Sequence, residues 1–152
     1  MKICVFGAGS IGGVIGGVLA QAGHDVSLIA RGAHLAALKA NGCTVETGGQ
    51  KFTVHPACSD NPADFGPQDY VVVAVKAPAM PSVAAGIAPL LGPDTAVVPA
   101  MNGIPWWFFD GYPAAGPDIQ LPALDPDGAL AAAVSTDRVI GCVVHMGSLV
   151  PE

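Results

Sequence analysis

The apolar positions of this chain fall into short unbroken runs rather than into strict alternation. Residues 2–6 (Lys-Ile-Cys-Val-Phe) open the chain, and similar runs occupy 25–30, 70–75, 95–99 and 138–145. Runs of this length predict strands buried on both faces, as in a parallel sheet covered by helices. Between the first two lies Gly7-Ala8-Gly9-Ser10-Ile11-Gly12, then a helical stretch to about Gln21, closed by Ala22-Gly23-His24 with Gly23 near the C′ position. A second helical pattern runs over 33–41 and stops at Asn41-Gly42. Residues 43–47 and 51–54 do alternate, around Gly48-Gly49, and predict a β-hairpin.

The later chain is less regular. A loop is expected around Pro56, Asp60, Asn61 and Pro62, and a helix from Pro78 and Pro81 to about Leu91. Residues 110–128, rich in Pro, Gly and Asp, read as a long loop, and 129–134 as a short helix. Strands alternating with helices predict an α/β fold, a Rossmann-type doubly wound, mostly parallel sheet in three αβα layers. The 152 residues fit one domain.

The glycine loop is the first candidate for chemistry. It follows a strand, opens a helix and leads to a second strand within about 30 residues, the context a dinucleotide fingerprint requires. Gly7 permits the tight turn, Gly9 lets backbone approach a pyrophosphate, and Gly12 lets the helix pack closely on the sheet. The phosphates would meet free N–H groups at the helix N-terminus. Gly13, Gly16 and Gly17 read as close packing against the sheet or the cofactor. At the end of the second strand, an NAD site has an acid for the ribose 2′-hydroxyl. Here stands Ala30-Arg31-Gly32, with no acid between Asp25 and Glu46. A guanidinium can fork onto a 2′-phosphate, so the expected cofactor is NADP(H), with Arg31 as phosphate ligand.

Two further residues stand at strand ends, where open α/β sheets bind ligands: Lys76 after 70–75, and Asn102 after 95–99. Asn102 suits a carboxamide, a ribose hydroxyl or a keto acid, and equally a plain Asn-Gly turn. Trp106-Trp107-Phe108-Phe109 reads by default as core or interface packing, with an apolar wall beside the nicotinamide as the functional alternative.

Composition narrows the field. With 51% hydrophobic and 12% charged residues, the chain has ample material for a core and is not disordered. A net charge of −6 argues against nonspecific nucleic-acid binding. Arg138 is the only basic residue after Lys76, so an anionic ligand belongs with the first half. No apolar run reaches a membrane span uninterrupted by glycine, and the N-terminus does not read as a signal peptide. Cys4, Cys43, Cys58 and Cys142, like the four histidines, lack metal-site spacing, so no metal is expected. A reducing cytoplasm is the expected compartment.

Together, the Lys-Ile-Cys-Val-Phe-Gly-Ala-Gly-Ser-Ile-Gly start, Ala30-Arg31, Val-Ala-Val-Lys ending at Lys76, and Asn102-Gly103 resemble the ketopantoate reductase (2-dehydropantoate 2-reductase) family. The resemblance spans the whole chain. It implies an NADPH-dependent oxidoreductase of pantothenate biosynthesis that reduces a 2-keto acid by hydride transfer. By resemblance Gly7, Gly9 and Gly12 hold the pyrophosphate, Ala8, Ser10 and Ile11 also bind the cofactor, and Arg31 holds the 2′-phosphate. Lys76 and Asn102 line the nicotinamide and substrate cleft in positioning and electrostatic roles. It also implies a helical C-terminal domain, catalytic and dimerising, that supplies a lysine as general acid. That domain has no counterpart in residues 1–152, so the chain alone is expected to be inactive. A homodimer stays compatible with the sequence. The alternatives are a reductase of another 2-keto acid or an opine-type substrate, and a stand-alone NADP-binding module without catalysis.

Overall fold

A computed structural model describes residues 1–112, 119 and 121–150. Five strands form one parallel sheet: β1 (Lys2–Phe6), β2 (Asp25–Ile29), β5 (Ala57–Ser59), β6 (Gln68–Val73) and β7 (Leu91–Pro99), in the order β5-β2-β1-β6-β7. The chain winds outward from β1 in both directions. The carboxyl end of β1 is therefore the switch point where such sheets open a crevice.

Both faces of the sheet are covered, which explains the unbroken apolar runs. On one face Ile3, Val5, Val26, Leu28 and Val72 pack with helix α1 (Ser10–Gln21) and with Leu35 and Leu38 of α2 (Gly32–Asn41). On the other, Cys4, Phe6, Ile29, Val71, Val73 and Val97 pack with Met80 and Val83 of α3 (Met80–Gly86) and Leu130 of α4 (Ala129–Ala133). Neighbouring residues of one strand thus enter opposite cores, as the two-residue period demands. The expected three-layer α/β architecture is what the chain adopts. Among the described residues no helix is long and apolar enough to cross a membrane.

The hairpin forms as expected, with β3 (Cys43–Thr47) and β4 (Gln50–Val54) antiparallel across Gly48 and Gly49, both at positive φ. It lies against α1, where a Cβ on Gly17 would come within 2.4 Å of Val45. Gly16 meets the sheet, since a Cβ there would fall 2.6 Å from Leu28. Asp125 caps α4, its carboxylate accepting from the Leu130 and Ala131 amides at 3.0 Å each.

Several expectations need correction. The segment around Pro56 includes the edge strand β5. The helix expected over 78–91 is only α3, flanked by 3-10 turns at Ala77–Ala79 and Ala88–Leu90, because Pro89 cannot continue the helical hydrogen bonds. Strand β6 ends at Val73 rather than at residue 75, and β7 begins at Leu91 rather than at Thr95. The strand expected over 138–145 is reduced to one parallel bridge, Val97 with Val139, where the Ile140 amide donates to the Val97 carbonyl at 2.8 Å. The next rung would need an N–H from Pro99, which has none. Of the loop expected over 110–128, residues 113–118 and 120 lie outside the described residues.

Candidate functional site

The glycine turn leaves β1 at Gly7, whose φ of +102° favours glycine. The Gly7 and Ala8 amides both donate to the Ile29 carbonyl, at 3.1 and 2.9 Å, so the turn is tied to the end of β2. Gly9 is the N-cap of α1, and neither a side-chain cap nor an acid in the first turn satisfies the helix start. The first-turn amides of Ser10 and Ile11 have no carbonyl one turn back, and they form the positive end of the helix dipole. A Cβ on Gly9 would meet nothing within 4 Å, whereas one on Gly12 would fall 2.1 Å from the Gly7 carbonyl oxygen and 3.0 Å from Val5. One glycine therefore keeps a space open, and the other lets the helix seat on the strand.

Arg31 follows Ile29 and Ala30 and is the extended N-cap of α2 (φ −134°, ψ 158°). Its side chain is exposed. By contrast, the guanidinium of Arg138 is committed to the Gly92 and Thr95 carbonyls, at 3.2 and 2.9 Å. Arg31 and His34 line a pocket of about 230 Å³ that also touches Gly7, Ala8 and Gly9.

A second cleft, of about 560 Å³, shares Gly7, Gly9 and Val75 with the first and extends across the ends of β6 and β7. Ser10, Lys76, Asn102 and Met146 line it. Lys76 is exposed, three residues past the end of β6. The chain between is held by the Ala74 amide donating to the Phe6 carbonyl at 2.9 Å. Asn102 uses its amide as a surrogate strand. Its Nδ2 donates to the Val144 carbonyl and its Oδ1 accepts from the Val144 amide, both at 2.9 Å. This pairing resumes, through a side chain, the backbone ladder that Pro99 interrupts. The two pockets form one crevice with a guanidinium at one end, an ammonium at the other and uncapped helix amides between. The shape and charge fit an elongated polyanion such as a dinucleotide.

The structure brings together the expected site residues: Gly7, Ala8, Gly9 and Arg31 line the first pocket, and Gly7, Gly9, Ser10, Ile11, Lys76 and Asn102 the second. Gly12 supports the turn from behind. Sequence reasoning did not single out His34, Val144 or Met146. Only the position of His34 one helical turn after Arg31 could have drawn attention to it. The aromatic run packs in pairs, Trp106 on Trp107 edge to face at 4.4 Å and Phe108 on Phe109 at 5.0 Å. Trp106 joins the core on the α3 side, while the apolar wall of the larger cleft includes Val75, Met101, Val144 and Met146. Burial pushes the Cys4 thiol up to about 11 and also raises those of Cys43 and Cys58, so these cysteines stay protonated packing residues.

A family model described as ketopantoate reductase PanE/ApbA matches residues 3–106. A 2-dehydropantoate 2-reductase of Mesorhizobium japonicum is 44% identical over 146 residues, covering 95% of this chain and 45% of the relative. A crystal structure from Ralstonia solanacearum MolK2, described as a ketopantoate reductase, superposes with a TM-score of 0.88 at 51% identity, over 95% of this chain and 45% of that one. A PanE/ApbA family ketopantoate reductase from Ralstonia eutropha JMP134 matches with a TM-score of 0.64 at 36% identity, over 68% of this chain and 35% of that one. The chain spans less than half the length of these relatives.

Proposed function

The chain belongs to the PanE/ApbA ketopantoate reductase family, and from that premise we propose that it binds NADPH and presents it to a 2-keto acid, with ketopantoate as the substrate. The observation that carries this reading is the continuous crevice, with Arg31 at the β2 end, the uncapped α1 start in the middle, and Lys76 with Asn102 at the β6 and β7 ends. The amides of Gly9, Ser10 and Ile11 hold the pyrophosphate, and the Arg31 guanidinium holds the 2′-phosphate by charge-assisted hydrogen bonds.

When bound, NADPH supplies a hydride from its nicotinamide C4 to the carbonyl carbon, so the keto acid becomes a hydroxy acid. The residues of this chain orient the reactants and stabilise charge. The Lys76 ammonium attracts the substrate carboxylate and offsets the negative charge that grows on the carbonyl oxygen. Asn102 holds the Val144 wall in place and keeps one amide hydrogen and one oxygen lone pair for the ligand. The proton that completes the hydroxyl comes, in this reading, from a general acid in the length of the relatives that this chain does not span. The four free cysteines suit a reducing cytoplasm.

Calorimetric titration with NADPH and NADH tests the reading. The chain is expected to prefer NADPH. Arg31→Ala should weaken NADPH about 30-fold, the scale of a charged hydrogen-bonded contact, while NADH binding stays unchanged. A preference for NADH, or no effect of Arg31→Ala, refutes the phosphate assignment. Joined to the second half of the Mesorhizobium japonicum relative, the chain should oxidise NADPH in the presence of ketopantoate. Turnover with other 2-keto acids alone would redirect the substrate assignment.

A further inference from the structure

His34 carries a contact that neither the fold nor the phosphate grip requires. Its side chain is half-buried in the first turn of α2, and Nε2 lies 2.6 Å from the Ala8 carbonyl oxygen. A carbonyl oxygen only accepts, so Nε2 bears the proton and donates. The Ala8 amide is bound at the same time to the Ile29 carbonyl at 2.9 Å. Both polar groups of the residue between Gly7 and Gly9 are thus held, one by β2 and one by α2. Arg31 precedes this turn of α2, and Arg31, His34 and Ala8 line the same pocket.

We propose that His34 is a positioning residue that sets the spacing between the pyrophosphate turn and the Arg31 phosphate site, and so helps select a 2′-phosphorylated dinucleotide. The inference rests on the reading that Arg31 holds the 2′-phosphate. A ligand that engages both points gains from their fixed separation, because the second contact is then made without ordering the protein. A ligand without the 2′-phosphate engages the glycine turn alone and does not sense the spacing. The His34–Ala8 bond ties the first turn of α2 directly to the glycine loop, while Leu35 and Leu38 anchor the helix in the core. Losing the bond leaves the helix folded but frees its first turn.

Calorimetric titration of the chain and of His34→Ala, His34→Gln and Arg31→Ala with NADPH and with NADH tests this, with thermal melting of each variant alongside. His34→Ala should weaken NADPH about fivefold, the scale of one hydrogen bond, and change NADH less than about twofold. His34→Gln, whose amide nitrogen can reach the Nε2 position and donate, should recover NADPH affinity. Should His34→Ala fail to fold, His34→Asn, whose amide is too short to reach Ala8, makes the same comparison. Equal weakening of both coenzymes would mean a general structural role and overturn the proposal. Unchanged NADPH affinity, or a His34→Gln variant that folds and binds as weakly as His34→Ala, would also overturn it. If these failures occur while Arg31→Ala still abolishes the NADPH preference, the spacing role alone fails. If Arg31→Ala has no effect, the underlying phosphate assignment fails and this inference with it.

Discussion

The two ends of the crevice are built differently. At the Arg31 end, most supporting pieces are regular structure over a closed core, with β1, β2 and the starts of α1 and α2 around the glycine turn, and Val75 and Ala79 closing the far side. The turn there is pinned by Ile29 and His34, while the Ser10 and Ile11 amides stay open at the start of α1. At the Lys76–Asn102 end, the wall is irregular backbone past β6 and β7, held by single backbone bonds such as Ala74 to Phe6 and by the Asn102 side-chain amide. Apolar side chains also remain exposed along the final described stretch, with Val143 at 68%, Leu149 at 80% and Val150 at 54%. The first end is backed by packed core, whereas the final described stretch leaves apolar side chains in solvent. In the proposed function the Arg31 end grips the cofactor, which needs fixed spacing, and the other end receives the substrate in a cleft more readily assembled from several parts.

Gly12→Ala should expose this difference most strongly. Its Cβ would collide with backbone, the Gly7 carbonyl oxygen at 2.1 Å, so neither α1 nor the turn can yield cheaply. Urea unfolding should show a loss of about 3 kcal/mol, the upper range for overpacking, together with lost NADPH binding. A loss below about 1 kcal/mol would mean that the first end is softer than its packing indicates. Asn102→Ala strikes the second end. It removes two hydrogen bonds at an exposed site, for about 1 kcal/mol, and should speed hydrogen exchange of the Val144 amide about tenfold while leaving the amides of β1 unchanged. Exchange that quickens in β1 as well would mean that the two ends form one cooperative unit. Gly9→Ala should be the mildest for stability, within about 0.5 kcal/mol, since its φ of −71° is ordinary and its Cβ would meet open space. NADPH affinity should nevertheless fall, because that space is where a pyrophosphate would approach. Unchanged affinity would separate the glycine turn from the cofactor.

Much of the Arg31 end was legible in the chain. Runs such as 2–6 and 25–30 announce strands buried on both faces, and the glycine spacing with Arg31 after β2 carries its own chemistry. Other features, at both ends, were less so, for identifiable reasons. Strand β5 is three residues long, too short for any period, and exists through its pairing with β2. The run 138–145 has strand composition, but a ladder needs a partner N–H, and Pro99 withholds it. Asn102 could be read as a ligand residue or as a turn former, and the fold shows a third task, as the rung that replaces the missing one. The link of His34 to Ala8 joins residues 26 positions apart, so local pattern carries no trace of it.

The sequence by itself determined the parallel α/β class, the family and the residues that line the crevice, because these follow from hydrophobic period, glycine stereochemistry and charge at strand ends. Only the tertiary structure decided how each end of the crevice is held and how Arg31 is placed relative to the glycine turn. Those properties depend on contacts between elements distant in the chain and on which backbone groups find partners.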